Sequence, residues 1–465
     1  MTPAQQNAKL SWRFPATFWV ANLSELFERA AFYGMFIALS LYLTNEVGFT
    51  DVGSGWVTAG FSFFFYLLPA FVGPLADKFG FRRSLIFAFV SLTLGYALLG
   101  ALAWKSTAVI ALAIIAFGGA IVKPVIAGTA SKCSDTLHRA RAFSIFYMMV
   151  NIGAFSGKTI TPFLRQGCDI PFVGHVEFGL RYINFYASAM AFCGVVIISV
   201  AYRNPDVHGT GKRFSEVCDV FVRALCNGRF MCLILIVAGF WTIQGQLYAS
   251  MPKYLIRLQG DGAKPEWLAN INPLVVVCCV AAITQMVRTM RSENSILISL
   301  GIIMFSPLVM AASHIAERWL GHSVSVFGTP MYTITLLVVF GIALQGLAEC
   351  FLSPKFLEYC SRLARPGEEG LYLGFQNLPT SVAWLVGFIA SGYLLDAFCP
   401  DPNKLLANDP AQYVQWQAAI AGTAPMPAAF AHAHYIWYVF SGIGAASLLA
   451  LLVFRYVCAR QDRAA

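Results

Sequence analysis

Charged residues are scarce in this 465-residue chain, in which Asp, Glu, Lys and Arg together make up 12% of the residues. A soluble domain carries about twice that share of charge. Since 58% of the residues are hydrophobic, too few charges are present to cover a water-facing surface. The composition therefore excludes a soluble globular enzyme and predicts a polytopic membrane protein, built from apolar helices of about 20 residues each.

Signatures of several other protein classes are also missing from the sequence. The amino-terminal segment lacks a small-residue cleavage site, so no cleavable signal is expected. Neither an HExxH motif nor a pattern of nucleophile and base is present, which argues against an enzyme and a metal site. No repeated pore loop or filter motif indicates a channel. The net charge of +9 lies mainly in loops, and no nucleic-acid partner is expected.

Twelve cysteines are present, but several of them, such as Cys193 and Cys278, lie within apolar runs. A thiol in such a run behaves as a small hydrophobic side chain, so a disulfide scaffold is not predicted. Only Cys168 and Cys399 fall in segments expected on the outer side, where a single disulfide bond is one open alternative.

Twelve apolar runs predict about twelve transmembrane helices. A basic linker between the sixth and seventh runs carries apolar residues at helical spacing and predicts an interfacial helix. The predicted division is a six-helix bundle over 1–203, the linker over 204–228 and a second six-helix bundle over 229–465. The runs lie near residues 16–44, 55–76, 84–104, 108–131, 141–166, 180–202, 229–256, 267–288, 293–315, 330–353, 370–397 and 432–458.

The distribution of Lys and Arg predicts the orientation. With the amino terminus inside, 21 of the 32 basic residues fall on that side. Such a bias predicts that both termini are cytoplasmic and that the chain crosses the cell membrane many times, with lipid around it. Residues 398–431 then form one long external loop, to which no chemistry is assigned.

Two sets of six helices around a basic linker resemble the plan of the major facilitator superfamily. This plan is an all-α membrane fold of two six-helix halves that hold the substrate between them at mid-membrane. Other twelve-span plans exist, so the functional argument depends on individual residues.

Three charges interrupt the first apolar run, namely Glu25, Glu28 and Arg29. Their spacing places them on one helix face, with Tyr33 one turn further along. A charge at the centre of a membrane helix costs about 2.5–3.5 kcal/mol. These charges therefore need partners or a water-filled cavity, and a structural ion pair that joins helices is the alternative to a functional role.

Two further charges lie deep in other runs. Lys123 in the fourth run is too far from the cytoplasmic boundary for its ammonium to reach water easily, which makes it a partner for the first-run carboxylates. Glu349 is the only acidic residue within the core of a second-half run. Carboxylates held next to cations can gain or lose a proton, as a proton-coupled carrier requires. None of the seven histidines lies deep in a run, so a histidine relay is not expected.

These residues resemble motifs of the proton-dependent oligopeptide transporters within the major facilitator superfamily. The first-run ExxER pattern and the fourth-run lysine with Pro124 match, and the segment FSIFYMMVNIGAF at 143–155 matches along its whole length. The resemblance continues in the second half and covers most of the chain. The further matching features are the loop GPLADKFGFRR, Phe240-Trp241 with Gln246, Asn272-Pro273, and Glu349 with Ser353-Pro354.

The resemblance implies a pocket with opposite poles. In such transporters the first-run arginine and the fourth-run lysine attract the peptide carboxylate, and the tenth-run glutamate receives the amino group. These residues correspond to Arg29, Lys123 and Glu349, while Glu25 and Glu28 would couple proton to substrate by exchanging partners with the lysine. The remaining implied roles are cavity lining by Tyr33, Asn151, Trp241 and Asn272, and a cytoplasmic latch at Asp77.

Departures from the family pattern leave the cargo open. The sequence QGQ at 244–246 stands where many members carry an acidic residue. Lys158 is an extra cation, which either faces the cavity or extends to the outer interface. The sequence therefore predicts a symporter for di- and tripeptides that uses protons as coupling ion and has no cofactor. A major facilitator carrier for another small organic solute or anion is the alternative.

Overall fold

The computed structural model describes residues 14–72, 79–134, 139–170, 174–203, 214–326, 328–363 and 375–464. Long helices dominate these residues, as apolar runs in a membrane require, because a helix satisfies its backbone hydrogen bonds internally. Within the described ranges, six helices precede the linker: α1 (Ala16–Asn45), α2 (Asp51–Leu67), α3 (Phe81–Ala101), α4 (Lys105–Lys132), α5 (Arg139–Gln166) and α6 (Leu180–Ala201).

The second part of the chain begins with the predicted linker helix, α7, which spans Phe214–Cys226 and buries Val217 and Val220. Eleven helices follow in the described residues: α8 (Gly228–Gly245), α9 (Ser250–Gln259), α10 (Pro265–Leu268), α11 (Ile271–Val287), α12 (Ser292–Ala311), α13 (Ser313–Leu320), α14 (Thr333–Leu363), α15 (Leu378–Phe398), α16 (Pro402–Asn408), α17 (Pro410–Ile420) and α18 (Tyr435–Ala464).

Eleven stretches of the described residues are helical, long and apolar enough to cross a membrane. They coincide with eleven of the twelve predicted runs. The run predicted over 141–166 is helical too, as α5, but it contains polar and charged residues such as Asn151, Lys158 and Arg165. The chain is a multi-pass membrane protein.

Two short antiparallel hairpins interrupt the helices in the part of the chain that the structure describes. In one, β1 (Cys168–Ile170) pairs with β2 (Gly174–Val176), and in the other β3 (Ser323–Val326) pairs with β4 (Thr329–Tyr332). Both hairpins join helices outside the apolar segments, so they leave the all-α character of the fold unchanged.

The seventh predicted run is not one continuous helix. It ends as α8 at Gly245 and resumes as α9 at Ser250. Gln246 stabilises the break, because its amide donates to the carbonyl oxygens of Thr242 (2.9 Å) and Gly387 (3.3 Å), and its own oxygen accepts from the Ser250 hydroxyl over 2.8 Å.

The segment 398–431, predicted as a loop, contains two helices, α16 and α17. Each begins with aspartate followed by proline, and the carboxylates of Asp401 and Asp409 accept hydrogen bonds from the backbone N–H groups of Asn403 and Gln412. Aspartate caps the free amides of a first turn and proline fits the first helical position. This start signal makes the Ala- and Gln-rich segment helical.

The chain divides into two compact units. Unit 1 consists of residues 1–35, 68–161 and 181–218, and unit 2 consists of 36–67, 162–180 and 219–465. The apolar core of unit 2 packs α8, α9, α12, α14 and α18, with Phe240, Leu300 and Trp437 almost fully buried in it.

Candidate functional site

Helix α1 carries the three predicted charges of unit 1 on one face. The Arg29 Nε donates to Glu28 Oε2 and lies 3.4 Å from Glu25 Oε1. Both glutamates are fully buried and Arg29 is 5% exposed. The spacing of three and four residues thus produces a buried cluster of one cation and two carboxylates, as predicted.

The cluster is incompletely satisfied by hydrogen bonds. Within the described part of the chain, neither carboxylate oxygen of Glu25 has a hydrogen-bond partner, and neither does Oε1 of Glu28. Buried polar atoms are normally hydrogen-bonded, so such exceptions need an explanation. These three oxygens therefore mark Glu25 and Glu28 as candidate functional groups.

Lys123 belongs to the same unit but stands apart from the α1 carboxylates. It is half-buried in α4 and interacts electrostatically with Glu25, Glu28 and Arg29. Among the described residues, no carboxylate lies within 4 Å of its ammonium. Pro124 follows within the helix, where proline removes one backbone hydrogen bond.

Two aromatic rings lie near Arg29, and one of them also lies near Lys158. The Arg29 guanidinium carbon lies 5.3 Å from the ring centre of Phe32 and 5.8 Å from that of Tyr33. The Lys158 ammonium lies 5.7 Å from the Tyr33 ring centre, and the Lys158 side chain is 2% exposed. Lys158 therefore lies inside the protein next to a predicted site residue rather than on the outer surface.

Small residues let α5 approach α1 at this position. A Cβ atom added to Gly153 would lie 2.5 Å from the Leu26 carbonyl oxygen and 2.8 Å from Arg29 Cβ. A Cβ atom on Gly157, one turn later, would overlap the Ala30 carbonyl oxygen. The absence of side chains on both glycines thus brings α5 against the backbone that carries Arg29.

The predicted second-half residues meet in unit 2. Gln244 Nε2 donates to Glu349 Oε2 over 2.8 Å, and Asn272 Nδ2 donates to the same oxygen over 3.4 Å. Gln244 and Asn272 are buried and Glu349 is half-buried. Three helices, α8, α11 and α14, therefore converge on one carboxylate. Asn272 and Glu349 are predicted site residues, whereas Gln244 is not and stands in the sequence only as a departure from the family pattern.

Trp241 precedes Gln244 by one turn of α8. Its backbone oxygen accepts a hydrogen bond from the Trp384 indole over 3.2 Å, and Trp384 stacks on Phe36 with ring centres 5.4 Å apart. The indole nitrogen of Trp241 itself is buried and has no hydrogen-bond partner in the described residues.

The side chain of Asn151 makes its observed hydrogen bond within its own helix. Asn151 is half-buried and its amide donates to the Tyr147 carbonyl of its own helix over 2.8 Å. Asp77, the predicted latch, lies outside the described residues.

A buried ion cluster in unit 2 was not predicted. Asp51 Oδ1 at the start of α2 accepts hydrogen bonds from Lys253 over 2.8 Å and from Arg257 over 2.9 Å. All three residues are at most 4% exposed. The available signal was the four-residue spacing of Lys253 and Arg257, which places both cations on one helix face.

A second unpredicted ion pair joins the end of α5 to α10. Arg165 Nε donates to Glu266 Oε1 over 2.7 Å, and another guanidinium nitrogen of Arg165 donates to the Ala263 carbonyl over 2.6 Å. Arg165 also lines an open cleft of about 540 Å³ in unit 2, together with Asn45, Glu46 and Asp261. None of the predicted site residues lines this cleft.

Cys168 and Cys399 are both free thiols, so the open alternative of a disulfide bond between them is not realised. Burial raises the pKa of the Cys399 thiol to about 12. Its backbone carbonyl instead accepts a hydrogen bond from Arg257 over 2.5 Å.

Sequence comparison gives one family match and a set of curated relatives. A model of the Major Facilitator Superfamily matches residues 22–334. The dipeptide and tripeptide permease A of Klebsiella pneumoniae is 30% identical over 54% of this chain and 48% of its own length. Peptide transporter family 1 of Drosophila melanogaster is 24% identical over 55% of this chain and 40% of its own length. The chain thus matches less than half the length of these relatives.

Structure comparison covers nearly the whole chain. A peptide transporter POT in complex with sulfate matches with a TM-score of 0.68 at 17% identity, over 100% of this chain and 99% of that one. A bacterial homologue of the human drug peptide transporters PepT1 and PepT2 matches with a TM-score of 0.68 at 16% identity, over 97% and 99%. The predicted all-α major facilitator fold is confirmed, and so is the resemblance to peptide transporters.

Proposed function

Because the chain belongs to the Major Facilitator Superfamily, we propose that it is a proton-coupled symporter that imports di- and tripeptides by alternating access. Its similarity to dipeptide and tripeptide permeases supports peptides as the cargo. The proposal places the chain in the plasma membrane or a bacterial inner membrane, surrounded by lipid, with both termini in the cytoplasm. Protons are the coupling ion, and neither a cofactor nor a nucleic acid takes part.

One observation carries the proposal: unit 1 contains the buried cation Arg29 and unit 2 contains the half-buried carboxylate of Glu349, so each unit by itself offers a charge that suits one end of a peptide. Unit 1 supplies Arg29 and Lys123, which would bind the substrate carboxylate. Unit 2 supplies Glu349, whose carboxylate would bind the ammonium group, with Asn272 beside it. Tyr33, Asn151 and Trp241 complete the proposed lining.

Proton coupling is assigned to Glu25 and Glu28. Their carboxylate oxygens without hydrogen-bond partners lie close to Arg29 and within electrostatic reach of Lys123. Proton uptake by one carboxylate releases its attraction for a cation, which then becomes available to the substrate carboxylate. One charge that crosses 100 mV supplies about 2.3 kcal/mol, and one pH unit adds about 1.4 kcal/mol. Together they sustain a substrate gradient of roughly several hundredfold.

A carrier for another small organic solute or anion is the second candidate function. The buried Lys158 next to Tyr33 favours it, because a further cation in unit 1 raises the local positive potential.

The test is competition for labelled Ala-Ala uptake in proteoliposomes that carry an inward proton gradient. Unlabelled Ala-Ala, its N-acetyl analogue and succinate are compared in wild type and in Glu349→Gln. We expect free Ala-Ala to compete at least tenfold better than the acetylated peptide in wild type, and this preference to be lost in the variant. Equal competition by both peptides in wild type would refute Glu349 as the amine site, and stronger competition by succinate would favour the anion carrier.

A further inference from the structure

The amide of Gln244 has a fixed orientation beside Glu349. Its nitrogen donates to the Glu349 carboxylate over 2.8 Å. A flipped amide would turn the Gln244 oxygen toward the carboxylate oxygen, and two acceptors repel each other. The Gln244 oxygen therefore points away from the oxygen atom that its own nitrogen contacts.

This Gln244 oxygen has no hydrogen-bond partner in the described residues, although its side chain is only 6% exposed. The indole nitrogen of Trp241 is also buried and has no hydrogen-bond partner in the described residues. Since Trp241 and Gln244 are three residues apart in α8, they share one helix face. One unsatisfied acceptor and one unsatisfied donor thus lie on the same face of α8, and the acceptor belongs to the amide that contacts Glu349.

The two groups complement the amino-terminal residue of a peptide. An α-ammonium group has three N–H donors, so it can donate to Glu349 and to the Gln244 oxygen at once. The first peptide carbonyl, two bonds further along the substrate backbone, is an acceptor that the Trp241 indole can satisfy. A buried polar atom without a partner destabilises the empty site, and a ligand that pairs it gains affinity.

We infer that Gln244 is a second acceptor for the substrate ammonium and that the Trp241 indole donates to the first peptide carbonyl. The inference rests on the proposed peptide transport and extends it to a specificity rule. Substrates need an α-ammonium group with at least two N–H donors and an adjacent carbonyl. Gln244 acts here as a binding residue, in addition to holding Glu349 in place.

The experiment couples a change in the protein to a change in the ligand. Binding of Ala-Ala and of N,N,N-trimethyl-Ala-Ala, which has no N–H on its ammonium, is measured by calorimetry on the purified full chain. Wild type is compared with Gln244→Met. The matched control is Gln345→Met, since Gln345 is a buried glutamine whose amide donates to Ser306 rather than to Glu349.

We expect Gln244→Met to weaken Ala-Ala by about tenfold, the effect of one hydrogen bond to a charged group, and to weaken the trimethylated peptide by a clearly smaller factor, which reflects only the lost support of Glu349. Gln345→Met should change the affinity for neither peptide. An equal loss for both peptides in Gln244→Met would reduce Gln244 to a structural partner of Glu349 and overturn the inference alone. Failure of wild type to bind Ala-Ala would overturn the proposed function itself.

A separate experiment tests the proposed hydrogen bond from the Trp241 indole to the first peptide carbonyl. Trp241→Phe keeps the ring but removes the N–H donor, and a thioamide analogue of Ala-Ala replaces the carbonyl oxygen by the weaker acceptor sulfur. We expect the variant to weaken Ala-Ala several-fold and the thioamide by a smaller factor. The same factor for both ligands would contradict the proposed hydrogen bond.

Discussion

Lys253 donates a hydrogen bond to Asp51 over 2.8 Å, although 202 residues separate them in the sequence. Arg257 donates to the same oxygen of Asp51 over 2.9 Å, and it lies 3.6 Å from Asp401. The cluster thereby ties the start of α2 to α9 within unit 2. Removal of its shared carboxylate leaves two buried cations without their main partner.

Asp51→Ala should therefore lower the free energy of unfolding by about 3–5 kcal/mol, the usual cost of breaking a buried ion pair. Thermal unfolding in detergent measures the effect. Asp396→Ala is the matched control, because Asp396 pairs with Lys404 over 2.6 Å on the surface, where such a pair contributes about 0–1 kcal/mol. Equal melting temperatures of the two variants would contradict a stabilising role for the buried cluster.

The contrast between the two buried clusters shows what a sequence can reveal. Glu25, Glu28 and Arg29 lie within five residues, so helical spacing alone places them together. Asp51 and Lys253 meet only through the tertiary fold. The predicted topology instead places Lys253 with the basic residues on the outer side of the membrane. Local periodicity predicts contacts within a helix but not between distant segments.

Gln244 illustrates a second limit. The sequence showed it only as a replacement for an acidic residue, and its position next to Glu349 depends on how α8 packs against α14. The segment 398–431, by contrast, contains a local signal that predicts its two helices, although a loop is predicted there from the sequence. The Asp-Pro pairs at 401–402 and 409–410 are helix start signals.

Glu25→Gln and Glu28→Gln should each abolish pH-driven accumulation of peptide while some exchange remains. Glutamine keeps the shape of the side chain but cannot bind and release a proton. Uptake against a gradient and counterflow are measured in the same proteoliposomes. Counterflow also distinguishes a carrier from a channel, because only a carrier shows exchange-accelerated flux. Full accumulation in both variants would refute the assignment of the proton site.

Lys123→Ala should give a folded protein that does not transport. Its ammonium has no carboxylate within 4 Å among the described residues, so the loss of unfolding free energy should stay well below the roughly 3–5 kcal/mol of a dry ion pair. Lys105→Ala, at the exposed start of the same helix, is the control and should transport normally. Wild-type uptake kinetics in Lys123→Ala would exclude a role for this lysine.

Glu317 gives a pH-dependent prediction outside the membrane spans. Burial raises the pKa of this carboxyl above its ordinary value of 4.5, despite His322 at 3.4 Å. The folded state then holds the proton more tightly than the unfolded state, so this stabilisation is present below about pH 4.5 and is lost as the pH rises through the raised pKa. We expect Glu317→Gln to flatten the melting-temperature profile across this range. An unchanged profile would contradict the prediction.

The close approach of α5 to α1 gives the last prediction. Gly153→Ala places a methyl group 2.5 Å from the Leu26 carbonyl oxygen and 2.8 Å from Arg29 Cβ. The added methyl group meets the backbone of α1, which cannot rotate away as a side chain could, so the two helices must separate. Overpacking of this kind lowers the free energy of unfolding by about 1–3 kcal/mol. The displacement acts on the backbone of Arg29, so uptake should fall together with stability.

Gly60→Ala is the matched control, because no atom lies within 4 Å of the added Cβ. Alanine in the middle of a helix is favoured over glycine by about 0.5–1 kcal/mol, so this variant should be as stable as wild type or slightly more stable, with normal uptake. Thermal unfolding and proteoliposome uptake are measured for both variants. If Gly153→Ala matched Gly60→Ala in both assays, the packing of α5 against α1 would not be what positions Arg29.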